Sequence, residues 1–184
     1  MNGGRSLGGS GSQATAAAPQ LDEVMFSAAV RAEQTFRGSR DANARRVASG
    51  GFASALTADV ITFIRARDST YLATASADRQ PYVQHRGGPR GFINVLDEQT
   101  LALPEYPGNG QYISIGHLSE NDRAFLFLMD YANARRLKLW RAKVVDDGQL
   151  IAQLNDASET AVVERAIVFT VLAWDWNCSQ IFRG

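Results

Sequence analysis

The pattern of apolar and polar residues changes along the chain after residue 67. In 21–36 and 58–67 apolar residues recur every three or four positions, which predicts two helices with one buried side each, and Thr57 is placed to cap the second. Beyond them, short apolar runs alternate with turns rich in Gly, Pro, Asn and Asp, and this is typical of β-strands joined by tight connections. The pattern predicts an α+β protein in which helices precede strands.

The strand region is expected to form one antiparallel unit. Two short helices interrupt it, at 111–122 and 149–161, and Pro104 is expected to break the chain into a loop. The almost wholly apolar run at 124–131 is expected to be buried on both faces. Strands are predicted at 69–76, 80–86, 91–96, 99–103, 124–131, 136–146 and 163–174. Seven strands without a strand–helix rhythm predict a mainly β fold, an antiparallel barrel with short peripheral helices, and speak against a Rossmann sheet.

Composition and charge narrow the class of protein. With 184 residues, 45% of them hydrophobic, the chain is long enough for a single domain, assigned to 21–184, whereas the Gly-, Ser- and Ala-rich residues 1–20 are predicted to be a disordered tail. Nineteen basic and nineteen acidic residues cancel, which gives no sign of nucleic-acid binding. No apolar run reaches the roughly 18–20 residues of a membrane span. A single cysteine, Cys178, suits a reducing compartment, so a cytoplasmic protein is expected.

Polar residues collect at the end of the second predicted strand. Gln84, His85 and Arg86 come directly before Gly87 and two further turn residues. Glycine lets a flat ligand approach the backbone, Arg86 suits a phosphate, and Gln84 or His85 suits the polar edge of a ring. The alternative is a β-bulge that carries a solvated Arg and His.

A second set of cations stands at the start of the strand predicted at 136–146. Alternation along a strand places Arg136 and Lys138 on one face and Arg135 on the other. Two cations on one face suit a phosphate clamp. They are equally typical of an edge strand that charge protects from aggregation.

Two loop segments add candidates. Asn109 and Gln111 lead into the helix predicted at 111–122, and helix N-termini bind anions through free N–H groups, although turn formation alone explains Asn-Gly. Trp176 and Asn177 follow the last predicted strand, where a tryptophan either stacks on a ligand ring or packs in a subunit interface. The sequence shows no metal-ligand spacing and no nucleophile with a paired base, so any redox chemistry requires a cofactor.

Residues 57–147 resemble the core of the pyridoxamine 5'-phosphate oxidase-like, FMN-binding split-barrel proteins. The most specific matches are His-Arg-Gly-Gly-Pro at 85–89, Gly-Asn at 108–109 and Trp-Asp-Trp-Asn-Cys at 174–178. The resemblance implies an antiparallel split β-barrel over 21–184, a homodimer, and one FMN at each of two sites built from both chains.

The resemblance also implies roles for individual residues. The strand at 84–87 would line the flavin, and the loop at 104–111 would wrap its phosphate and ribityl chain. Arg135 and Arg136 would reach the same flavin from another strand, with Trp176 and Asn177 covering it from the partner subunit. The implied function is an FMN-dependent oxidoreductase that exchanges hydride with a small substrate. The alternatives are a flavin-binding or storage module without turnover, and a related split barrel that takes deazaflavin or haem.

The sequence departs from this family pattern at several points. Gly110 stands where a basic residue is usual, and His117 stands where Asn is usual. The strand at 81–86 lacks the Arg-x-Val-Leu-Leu-Lys pattern of the authentic oxidase, which speaks against vitamin B6 oxidation. Loss of a charge-assisted contact at residue 110 would weaken phosphate binding by roughly 1.5–3 kcal/mol.

Overall fold

The computed structural model describes residues 21–50, 52–108, 110–145, 147–156 and 162–176. The predicted tail at 1–20 therefore lies outside the described residues. Within the described ranges there are six helices: α1 (Leu21–Met25), α2 (Ala28–Phe36), α3 (Arg40–Ala48), α4 (Ala58–Arg65), α5 (Ile113–Glu120) and α6 (Gly148–Asp156). In that part of the chain, no helix combines the length and the apolar character that crossing a membrane requires.

The helix predicted at 21–36 is divided in two. Ser27 has an extended backbone, with φ −61° and ψ 165°, and its hydroxyl accepts a bond from the N–H of Val30. This makes Ser27 the N-cap of α2, so α1 ends before it. The helix predicted at 58–67 is observed as α4, with Val60, Phe63 and Ile64 buried.

The described strands form two antiparallel sheets. In chain order they are β1 (Ser69–Ala75), β2 (Pro81–Gly87), β3 (Asn94–Val95), β4 (Thr100–Glu105), β5 (Phe125–Asp130), β6 (Arg135–Trp140), β7 (Lys143–Val145), β8 (Arg165–Thr170) and β9 (Ala173–Trp176). The first sheet has the order β2-β1-β5-β6-β9, and the second has the order β3-β4-β8-β7. This arrangement confirms the predicted antiparallel, mainly β architecture.

Two predicted strands each turn out to be a pair of strands in different sheets. The run at 136–146 supplies β6 to the first sheet and β7 to the second, and the run at 163–174 supplies β8 to the second sheet and β9 to the first. At the first of these corners Arg141 has a positive φ of 87° and donates its N–H to the carbonyl of Ala124. Corners at which strands change sheets close a barrel around one core.

The prediction that Pro104 breaks the chain was wrong. Pro104 lies inside β4, opposite Ala166 of β8. On its other side β4 pairs with β3 only at Leu101 and Ala102. Beyond these residues β4 is an edge strand on that side, where proline is tolerated because no ladder hydrogen bond is lost.

The core fills the space between the two sheets and under α4. It contains completely buried side chains from both sheets: Leu72, Leu101, Leu103, Leu126, Leu128, Leu137, Leu139, Ile167 and Phe169. The prediction that β5 is buried on both faces was wrong, because Phe125 and Phe127 are only partly buried while Leu126 and Leu128 are fully buried. The first sheet thus has a second face that the described residues do not cover completely.

Asp130 holds the turn between β5 and β6. Its carboxylate accepts bonds from the side-chain amide of Asn133 (3.0 Å) and the backbone N–H of Asn133 (3.1 Å), and pairs with Arg67 at 3.1 Å. These contacts, the Asn133 amide first, hold the pKa of Asp130 below its usual value of 3.8.

This shift predicts a specific acid sensitivity. A carboxyl whose pKa is lowered by folding contributes stability above its unfolded pKa of 3.8, and that contribution is lost as pH falls through the lower folded value. We expect Asp130→Asn to lose stability at neutral pH and to lose less than the parent chain on acidification from about pH 5 to pH 2. Thermal unfolding curves across this range provide the measurement. Equal acid sensitivity in the two proteins would contradict the assignment.

Candidate functional site

A pocket of about 170 Å³ opens between β2, the end of β4 and the start of α5. It is polar and aromatic, and it is lined by Tyr82, Gln84, Arg86, Glu105, Tyr106, Gly108, Gly110, Gln111, Tyr112, Ile113, Ser114 and Ile115. Its volume is below the roughly 300–1,000 Å³ that is common for ligand pockets. The pocket is therefore too small to enclose a cofactor-sized molecule.

Strand β2 sends alternate side chains into the pocket. Tyr82, Gln84 and Arg86 line it, whereas Val83 and His85 lie on the opposite face of the sheet. The His85 ring lies with its centroid 5.5 Å from that of Tyr71 on the outer face of this sheet. The structure therefore separates His85 from Gln84 and Arg86, because neighbouring residues of a strand point to opposite sides.

Of the two glycines after Arg86, packing within the chain requires only Gly88. A Cβ at Gly88 would lie 2.7 Å from the side chain of Phe92, so only glycine fits there. A Cβ at Gly87 would make ordinary contacts of 3.5 Å, and Gly87 shares the outer face with His85. The tight glycine position thus accommodates a core phenylalanine, which differs from the predicted close approach of a ligand.

Gln84 is oriented by helix α5. The buried hydroxyl of Ser114 donates to the side-chain oxygen of Gln84 at 3.0 Å. This bond uses the amide oxygen as the acceptor, and the amide NH₂ group is the donor that Gln84 brings to the pocket. Such a donor suits a carbonyl or a ring nitrogen of a ligand.

Arg86 forms an ion pair with Glu105 inside the pocket. Its Nη1 donates to Oε2 of Glu105, and each side chain is only 12% exposed. Its Nε is buried and has no hydrogen-bond partner. A buried N–H without an acceptor is costly, so the guanidinium retains capacity for one more acceptor.

Arg165 lies beside this pair and also has a buried donor without an acceptor. It stands opposite Glu105 in the β4–β8 register, and its guanidinium carbon is 5.4 Å from the ring centre of Tyr112. Its Nη1 is buried and makes no hydrogen bond, although it forms an ion pair with the carboxylate of Glu164 at 3.7 Å. Arg86 inside the pocket and Arg165 beside its Tyr112 wall each have a spare donor, and together they would suit an anionic group such as a phosphate.

The loop that precedes α5 forms one wall of the pocket. Gln111 lines it, while the predicted site residue Asn109 lies outside the described residues. Gly110 also lines it, with a positive φ of 73° and open space around it. A basic residue at this position would be strained by that backbone conformation, so glycine here follows from the shape of the loop.

The cations of β6 lie elsewhere. The guanidinium carbon of Arg135 is 4.4 Å from the ring centre of Trp176 and 5.2 Å from that of Phe63, on the side of α4. Arg136 and Lys138 lie on the opposite face, as alternation predicts. The ammonium of Lys138 is 3.2 Å from the carboxylate of Asp175. Asn177 lies outside the described residues.

Asp175 fastens the N-terminal helices to the first sheet. Its buried carboxylate binds Lys138 of β6 through one oxygen and Arg46 of α3, at 2.6 Å, through the other. Lys138 therefore already has an internal partner. If Lys138 also binds a phosphate, as predicted, it must do so while it is paired with Asp175.

The two predicted groups do not meet within one chain. Strands β1 and β5 separate β2 from β6, and three inter-strand steps amount to roughly 14 Å. Arg135 shares a face with Gln84 and Arg86, while Arg136 shares the outer face with His85. Among the described residues of one chain, the β2 pocket and the β6 cations therefore do not line a common pocket.

Three residues in or beside the pocket were not predicted from the sequence: Tyr82, Glu105 and Arg165. Tyr82 could have been found from alternation, since it lies two residues before Gln84. Glu105 and Arg165 come from β4 and β8, and no spacing in the sequence indicates that these strands meet β2 at the pocket. Across the described ranges, no three His, Cys, Asp or Glu side chains are grouped as metal ligands would be.

Comparison with known proteins supports the fold and shows the family. The chain resembles a histidine-to-alanine variant of the protein HupZ of Group A Streptococcus, with 14% identity and a TM-score of 0.55 over 66% of this chain and 99% of that one. It also resembles an FMN-binding protein of Syntrophomonas wolfei, with 10% identity and a TM-score of 0.51 over 80% of this chain and 97% of that one.

A third similar structure is a Lactobacillus delbrueckii protein provisionally assigned as a pyridoxamine 5'-phosphate oxidase, with 18% identity and a TM-score of 0.52 over 66% of this chain and 94% of that one. No curated protein matches the sequence. These likenesses confirm the predicted split-barrel fold. The sequence profile of pyridoxamine 5'-phosphate oxidase matches residues 56–174, which is most of the chain. The chain belongs to the pyridoxamine 5'-phosphate oxidase family.

Proposed function

We propose that this protein binds FMN and serves as a flavin-dependent oxidoreductase for a small substrate. The observation that carries the proposal is a pair of guanidinium groups that each have a buried N–H without an acceptor: Arg86 lines the aromatic pocket, and Arg165 contacts Tyr112 of its wall. A phosphate provides several strong acceptors, and arginine binds it through parallel hydrogen bonds. The similar fold of the Syntrophomonas wolfei FMN-binding protein supports the choice of ligand.

Each part of the pocket has a task in this proposal. Arg86 and Arg165 hold the phosphate. Tyr82 and Tyr112 offer aromatic surface to the ring system, and Gln84, fixed by its bond to Ser114, presents an amide donor to a polar ring atom. When bound, FMN supplies the hydride chemistry, and the chain contributes binding, orientation and exclusion of water.

We further propose that a second copy of the chain completes the site. The outer face of the first sheet carries Tyr71, Phe125, Phe127 and Trp140, all only partly buried, and on the same face Val83 is 60% exposed. An aromatic patch of this kind marks an interaction surface. A homodimer would cover this face, enlarge the small pocket, and allow β6 and β9 of the partner subunit to reach the ligand of the first.

Visible spectroscopy tests the proposal. Purified protein with FMN should show paired bands near about 370 and 450 nm after gel filtration, at roughly one flavin per chain. Binding should weaken in the charge-neutral double variant Arg86→Met/Glu105→Gln and stay unchanged in Arg123→Met, which alters an exposed arginine outside the pocket. A protein that retains no FMN and does not quench flavin fluorescence would overturn the FMN proposal.

A second measurement separates an enzyme from a flavin carrier. Under anaerobic conditions, reduced nicotinamide or another small donor should bleach the band near about 450 nm, since hydride transfer reduces the flavin. Bound flavin that stays oxidised with every small donor and acceptor tried would argue for storage without turnover.

A further inference from the structure

We infer that Glu105 sets the charge selectivity of the pocket, because its carboxylate competes with the anionic group of the ligand for Arg86. This inference rests on the proposed FMN function and adds a residue that neither the sequence pattern nor the family resemblance indicates. It predicts that Glu105 changes, by a measurable amount, the preference of the pocket between FMN and riboflavin, which lacks the phosphate.

The geometry places Glu105 where a ligand anion would bind. Its carboxylate contacts Nη1 of Arg86, both side chains are 12% exposed, and both line the pocket. On the neighbouring strand, Arg165 stands in register with Glu105 and has a buried N–H without an acceptor. Glu105 is therefore an internal anion that pairs with Arg86 and lies in strand register with Arg165, and these two arginines are the ones best placed to receive an external anion.

The charges in and beside the pocket determine whether Glu105 strengthens or weakens the binding of a phosphate. Among the groups that line the pocket, the positive charge of Arg86 is cancelled by Glu105, and Arg165 adds a further positive charge beside the Tyr112 wall. A phosphate monoester brings between about −1.5 and −2 charges at pH 7. Inside a partly desolvated pocket, two anions that share one guanidinium repel each other strongly. Riboflavin, which lacks the phosphate, does not meet this repulsion.

A purely supporting role for Glu105 predicts the opposite result. If the carboxylate mainly holds Arg86 in place, its removal should loosen the guanidinium and weaken phosphate binding. The two roles thus differ in the sign of the change in one ratio, the Kd of riboflavin divided by the Kd of FMN. This ratio also cancels any general effect on the flavin ring.

The experiment measures both dissociation constants by flavin fluorescence quenching in the parent protein and in Glu105→Gln. Glutamine keeps an acceptor for Arg86 and removes the charge. The ratio should rise about tenfold or more, with little change in riboflavin affinity. Glu98→Gln, the same change at an exposed site outside the pocket, should leave the ratio unchanged. Thermal unfolding of each variant checks folding, and Glu105→Ser replaces Glu105→Gln if the latter is not soluble.

The possible results distinguish a failure of the inference about Glu105 from a failure of the FMN proposal on which it rests. A ratio that stays constant or falls, in a protein that binds FMN, overturns the role of Glu105 and leaves the FMN function standing. FMN binding that appears only in Glu105→Gln supports the inference. If neither the parent nor the variant binds either flavin, the FMN proposal fails, and the inference fails with it.

Discussion

Replacing Arg86 by methionine is expected to destabilise the fold by about 3–5 kcal/mol. The substitution leaves the Glu105 carboxylate largely buried without its partner, because both side chains of the pair are only 12% exposed. For a chain of this length each kcal/mol corresponds to about 2–4 °C in Tm, so the melting temperature should fall by roughly 6–20 °C. Thermal and urea unfolding at one fixed protein concentration would measure the loss.

The double variant Arg86→Met/Glu105→Gln is the matched control. It removes both charges, and replacing a buried ion pair by neutral groups of similar size is often close to neutral. We therefore expect it to recover most of the stability that the single change loses. Arg123→Met changes an exposed arginine and should alter the free energy of unfolding by no more than about 0.5 kcal/mol. An Arg86→Met protein as stable as its parent would show that the pair is solvated in solution.

Introducing aspartate at Val83 is expected to convert the proposed dimer into monomers. Val83 is 60% exposed on the outer face of β2, so in a single chain the new carboxylate remains in water. In a two-fold interface the same change buries two unpaired charges, one from each copy. A cost of about 3 kcal/mol or more would raise the dimer Kd by more than about a hundredfold. Sedimentation or gel filtration with light scattering over a range of concentrations would reveal the change.

Two controls make this result specific. Val83→Thr keeps the shape and the strand preference of the side chain without a charge, so the dimer should persist. Val162→Asp places the same charge at a residue that is 70% exposed and lies outside the two sheets, and it should leave the mass unchanged. A parent protein that is already monomeric, or an unaltered dimer in Val83→Asp, would remove this face from the proposed interface.

Local patterns predicted the strands well, but they could not show where a strand changes sheet. The apolar pattern continues through 136–146 and 163–174 without a break, so it marks no division within either run. The division between β6 and β7 depends on the backbone of Arg141, whose positive φ no sequence signal announces. The prediction at Pro104 was wrong for a related reason. Whether β4 can contain a proline at that position depends on how far the neighbouring strand β3 extends along β4.

The site was predictable where it rests on one strand and not where it joins several. Gln84 and Arg86 were identified from their position near the end of β2, and the structure brings both into the pocket. The partner of Arg86 is 19 residues away, and Arg165 reaches the same end of the pocket through the register of β4 and β8. Contacts between distant strands are a property of the tertiary fold and leave no periodic trace in the sequence.

The bond between Arg46 and Asp175 has a consequence for biosynthesis. The two residues are 129 positions apart in sequence, and β9 pairs with β6 immediately beside this contact. At a synthesis rate of about 5–20 residues per second, Asp175 is made on the order of ten seconds after Arg46 of helix α3. Meanwhile the edge of β6 that β9 later covers is open to other strands. Ribosome-bound chains that stop short of residue 173 should consequently recruit chaperones, and full-length chains should release them.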